Sequence, residues 1–108
     1  MTVPFSISTS TEGNLAQVAL AGEVDLAAVP TVRDQVDACL LGAVISDVVI
    51  DLSEVTFLDS SGISVLIGCL RQAREAGKAL RVINIEGRAK EVLDMTGVTS
   101  LLTDGTHA

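Results

Sequence analysis

The 108-residue chain predicts a one-domain α/β fold built on a mixed β-sheet. Three observations carry that expectation. Apolar and polar residues alternate near the N-terminus, short β-branched runs such as "DVVIDL" follow, and segments with helical apolar spacing separate them. Strand–helix–strand units close by right-handed crossovers, so the central strands should run parallel.

The elements follow in order. "FSISTS" alternates with period two and enters "TEGNLAQVALAG", where Glu12, Gly13 and Asn14 supply turn chemistry and Leu15, Val18 and Leu20 supply strand residues. That pattern reads as an N-terminal hairpin. "GEVDLAAVP" leads into a helix with Val29, Val32, Val36, Cys39 and Leu40 on its apolar side. Pro30 belongs only in a first turn, which sets the start near Val29, and Gly42 suits the stop. Asp47 to Leu52 form a buried strand, and "SEVTFLD" reads as the loop after it. Ile63, Leu66, Ile67 and Leu70 mark the face of a second helix, whose C-terminal dipole suits Arg71, Arg74 and Lys78, with Gly77 as its cap. "ALRVINI" is the next strand. "GRAKEVLDMTGV" is a short helix with Val92 and Met95 inward and Gly97 as stop, and "TSLL" reads as a last short strand or helix start. Nothing divides the chain, so one domain spans residues 1–108.

Composition removes several function classes. Hydrophobic residues make up 48% of the chain with two Phe and no Trp or Tyr, so the core is aliphatic. No apolar run reaches the ~20 residues that cross a bilayer, and the N-terminus lacks signal-peptide character. A soluble, cytoplasmic protein is expected. The net charge is −7; residues 1–70 carry nine acids against Arg33 alone, while residues 71–108 carry six bases and five acids. Without a basic footprint or aromatic platforms, neither nucleic acid nor an anionic membrane surface is an expected partner. Cys39 and Cys69 lack metal-ligand or disulfide spacing and read as reduced core thiols.

In such a sheet, functional groups gather beyond the carboxyl ends of the strands. Two polar clusters fall there: Gly22-Glu23-Val24-Asp25 and Asp59-Ser60-Ser61-Gly62. A serine nucleophile needs a base, and the only histidine is the near-terminal His107. Neither a GxSxG elbow nor a P-loop is present. The acids read as solvated loop residues and helix caps rather than a catalytic pair. A non-enzymatic binding protein with no cofactor and no metal is expected. Ser60 and Ser61 have two readings, plain helix capping or phosphate acceptance at a helix N-terminus, where free N–H groups and the dipole tolerate an anion. Side-chain chemistry alone does not separate one serine from the other.

"VVIDLSEVTFLDSSGISVLIG", with "GEVDLAAVPTVRDQV" and "LRVINIEGRAKEVLDMTGV", resembles the STAS-domain anti-sigma factor antagonists of bacteria over roughly Phe5 to Leu102. The resemblance implies helices packed mainly on one face of the sheet. It implies phosphorylation of Ser60 by an anti-sigma factor with serine kinase activity, and a serine phosphatase that resets it. Glu23, Asp25, Asp59, Ser61 and Gly62 then belong to the partner-binding surface. The unphosphorylated form binds the anti-sigma factor and releases a sigma factor; the phosphorylated form does not bind. One departure is Ala28, where the family commonly has Thr, Ser or Asn, which weakens nucleotide binding at that loop. Two other readings stay open, a STAS scaffold in a signalling assembly and a small-ligand module for nucleotide or lipid.

Overall fold

The computed structural model describes residues 4–97. Seven regular elements follow one another: β1 (Ser6–Glu12), β2 (Leu15–Val24), α1 (Val29–Leu40), β3 (Asp47–Leu58), α2 (Ser60–Glu75), β4 (Ala79–Ile83) and α3 (Gly87–Thr96), with a 3₁₀ turn at Leu26–Ala28. The strands form one sheet in the order β1-β2-β3-β4. β1 and β2 are the antiparallel hairpin, joined by a two-residue turn in which Gly13 takes φ +60°. β2, β3 and β4 are parallel. Two successive right-handed crossovers in the same direction put α1 and α2 side by side on one face, where they contact each other.

Alternation decides which side chains meet those helices. On β2 the buried residues are Ala16, Val18, Leu20, Gly22 and Val24; on β4 they are Leu80 and Val82. Val32, Val36 and Leu40 of α1 and Ile63, Leu66, Cys69, Leu70 and Ala73 of α2 close over them. Fully burying an aliphatic side chain stabilises by roughly 1.5–3 kcal/mol, so this single aliphatic layer is the main source of fold stability.

β3 is longer than the sequence pattern suggests. "SEVTFL" is strand, not loop: it pairs with Ala21 to Val24 of β2, and two irregularities in the β2–β3 register, between Ala19 and Ala21 and between Gly22 and Glu23, break its alternation. Each inserts one extra residue on β3, so after Val48, Ile50 and Leu52 the half-buried Val55 falls out of phase and, past the second irregularity, the buried Leu58 returns to it. Asp51 braces the first of them: its Oδ1 accepts from the Ser53 N–H at 2.9 Å and from Asn84 Nδ2 at 3.0 Å. Asn84 itself holds φ +57°, a conformation Asn tolerates better than most residues.

Other expectations need correction. Met95 points outward at 87% exposure, while Leu93 is fully buried. Two helical residues are separated by about 200° around the axis, so only one of the two can face the sheet. The Val92 side chain, "TSLL" (residues 99–102) and His107 lie outside the described residues. Lys78 does not serve its own helix; its Nζ donates to the Leu40 and Gly42 carbonyls at 2.6 and 2.7 Å and so caps α1. Of the two cysteines, both free, Cys69 is buried but Cys39 is only half-buried at the core's rim.

Candidate functional site

The β2–β3 pairing brings the two polar clusters to one end of the sheet, since Val24 stands opposite Leu58 at the carboxyl ends of adjacent parallel strands. Each cluster carries one aspartate in extended conformation, Asp25 at the end of the first and Asp59 at the start of the second. Asp25 Oδ1 accepts from the Ala27 N–H at 3.1 Å, and Asp59 Oδ1 accepts from the Gly62 N–H at 3.0 Å. Both carboxylates are thereby engaged as N-caps, of the 3₁₀ turn and of α2 respectively. Because the 3₁₀ turn runs directly into α1, that helix has no side-chain cap, and the buried Ala28 occupies the junction. A hydroxyl there would have faced the core.

With Asp59 as N-cap, Ser60 and Ser61 are the first two residues of α2. Their surroundings differ. Ser60 is exposed and Ser61 half-buried, so solvent reaches one hydroxyl more readily than the other. Gly62 is buried because α2 begins hard against the end of β2: a Cβ on it would stand 2.7 Å from the Val24 carbonyl oxygen and would also strike Leu58. Glycine is therefore required by internal packing. Near the same sheet end, Leu26 stands 72% and Phe57 38% exposed, two apolar side chains in water.

Ser60 and Ser61 open into a groove of about 520 Å³ between α1 and α2. Leu26 of the 3₁₀ turn with Val29 and Arg33 of α1 form one wall; Ser64, Gly68, Arg71, Gln72 and Glu75 continue its α2 wall. Glu23 and Asp25 line a separate hollow of about 370 Å³ with Phe5 and Ala27. The clusters thus share an end of the sheet but face different depressions. Among the residues lining that second hollow none is basic, which disfavours a phosphate-bearing ligand there. Sequence reasoning missed the groove. Its signal was faint: Ser60, Ser64, Gly68 and Gln72 recur every fourth residue, the spacing of one helix face.

No described cluster of three or more His, Cys, Asp or Glu side chains stands ready to hold a metal ion. Burial pushes the Cys69 thiol up to about 12, the opposite of an activated nucleophile. No helix among the described residues is long and apolar enough to cross a membrane.

The chain is similar to several known proteins. A family model described as "Mlab, STAS domain" matches residues 7–103. An anti-sigma-B factor antagonist of Bacillus subtilis (strain 168) is 28% identical over 99 residues, 91% of this chain and 88% of the relative. An anti-sigma factor antagonist from Mycobacterium paratuberculosis superposes with a TM-score of 0.78 at 20% identity, over 93% of this chain and 86% of that one. The phosphorylated form of SpoIIAA, a Bacillus cell fate determinant, gives a TM-score of 0.68 at 18% identity, over 97% and 91%.

Proposed function

The chain belongs to the STAS-domain family, and on that premise we propose that it is an anti-sigma factor antagonist switched by phosphorylation at Ser60. The observation that carries the reading is the placement of Ser60: an exposed hydroxyl on the first residue of α2, directly after the capping Asp59 and at the mouth of a groove. Relatives named anti-sigma-B factor antagonist, and a structural neighbour described in a phosphorylated form, support it.

The unphosphorylated protein binds an anti-sigma factor with serine kinase activity through the surface around Asp59, Ser60 and Ser61, with Glu23 and Asp25 beside it. Gly62 acts from within by letting α2 start close to β2. The partner's kinase activity transfers the γ-phosphoryl of ATP to the Ser60 oxygen, with loss of the hydroxyl proton and release of ADP. The product carries about −1.5 to −2 additional charge beside Asp59. Stripped of water in a complex, that charge costs more than it does in solvent, and the partner is released. A serine phosphatase restores the hydroxyl. The protein itself is a cytoplasmic regulator that catalyses none of these steps.

The test is incubation with ATP and the purified anti-sigma factor kinase of the same genome, followed by peptide mapping. Phosphate on Ser60, absent without the kinase, is expected. Phosphate on Ser61 or Thr56 instead, or ATP turnover by the protein alone, would overturn the assignment.

A further inference from the structure

We propose that the α1–α2 groove is a docking site for an acidic segment of the protein partner, held by Arg33 and Arg71. The inference rests on the antagonist reading above and names the partner chemistry that the same surface selects.

Charge placement is the first support. Arg33 and Arg71 are the only basic residues in the first 71, a stretch that holds nine acids. They lie far apart in sequence, yet the fold brings both to one groove. Neither has an ion-pair or hydrogen-bond partner among the described residues, where the ion pair present is Lys90–Asp94. Glu75 stands four residues beyond Arg71, the spacing of a helical ion pair, and still does not engage it. Two unpaired guanidiniums in a groove lined by one acid, Glu75, are complementary to carboxylates.

One feature of α2 points the same way. Gly68 sits in the helix interior with nothing within 4 Å of where a Cβ would be, so packing does not require it. What the missing side chain does provide is a low floor for the groove.

Shape favours a peptide segment over a small anion. From Ser60 to Glu75 the groove wall runs roughly 22 Å at 1.5 Å per residue. The opposite wall adds the apolar Leu26 and Val29, which suits an amphipathic segment carrying acids. The switch follows from this arrangement. A phosphoryl group on Ser60 enters the mouth of the groove as an anion and repels an acidic segment docked there.

Titration calorimetry with the purified anti-sigma factor kinase of the same genome, at low and high salt, tests the proposal. Arg33→Gln, Arg71→Gln and their double variant are compared with Arg74→Gln, which removes an exposed α2 cation outside the groove. The double variant should lose at least ~10-fold in affinity and most of its salt dependence, while Arg74→Gln stays within about twofold. Wild-type affinity in the double variant, or an equal loss in Arg74→Gln, overturns the groove. If the double variant binds normally while Ser60→Asp does not, the groove alone falls. No binding by the wild-type protein sinks the antagonist reading and the groove together.

Discussion

Gly62 and Val24 meet so closely that the first turn of α2 rests on the end of β2, with room for a hydrogen but not for a methyl group beside the Val24 carbonyl. A carbonyl fixed in a sheet cannot step aside as a flexible side chain can. Gly62→Ala should therefore destabilise by about 1–3 kcal/mol. Gly68→Ala, in open space on the same helix, should stabilise by roughly 0.5–1 kcal/mol. Thermal melting of the pair checks both, and equal effects at the two sites would contradict the packing described.

Lys78 joins two layers of the fold by capping α1 from the α2–β4 connection. Lys78→Met keeps the apolar stem and removes both hydrogen bonds. The cost should be about 1–2 kcal/mol, below the upper range for charged hydrogen bonds because the site is only partly buried. Urea unfolding measures it. Lys90→Met, which breaks the exposed Lys90–Asp94 pair, should cost about 0.5 kcal/mol or less.

Asp51 makes part of the stability pH-dependent. Partial burial raises its pKa, but hydrogen bonds from Ser53, Asn84 and Gln17 together outweigh that effect and hold it below the ordinary 3.8. A depressed folded-state pKa means that the contribution is complete above the unfolded value. It declines as pH falls below 3.8 and through the folded value. Denaturation profiles should show that acid limb in the wild type and a shallower one in Asp51→Asn.

Cys69 carries the opposite signature. Its folded thiol, at about 12 against an ordinary 9.0, stays protonated where the unfolded thiol ionises. Stability should fall as pH rises above 9.0 towards about 12. In the native protein at mildly alkaline pH, a thiol reagent should modify the half-buried Cys39 first and reach Cys69 only on unfolding.

Ser60→Asp should leave the fold intact. The α2 dipole favours an anion by roughly 0.3–1 kcal/mol, and repulsion from Asp59 in water opposes it by about 1 kcal/mol or less. Circular dichroism and melting temperature should stay within a few degrees of wild type. Binding to the anti-sigma factor should fall by ~30-fold or more, while Ser60→Ala binds but resists switching. Unfolding of Ser60→Asp, or full binding by it, would contradict the switch.

Local chemistry made much of the molecule legible before folding. Gly13 marks the hairpin turn, Pro30 sits in the first turn of α1, and Asp59 caps α2, because turn geometry, a missing N–H and a short carboxylate each act within a few residues. The D-S-S-G run was readable for the same reason. Only the tertiary structure decided what depends on residues distant in sequence. The extra residues in β3 exist relative to the β2 register, so alternation along one strand could not reveal that Ser53 to Leu58 are strand. Lys78 reaches α1, Leu93 rather than Met95 meets the sheet, and Gly62 answers to the Val24 carbonyl. Arg33 and Arg71 look like two scattered charges along the chain; parallel strands carrying their crossover helices to one face set them along a single groove beside Ser60.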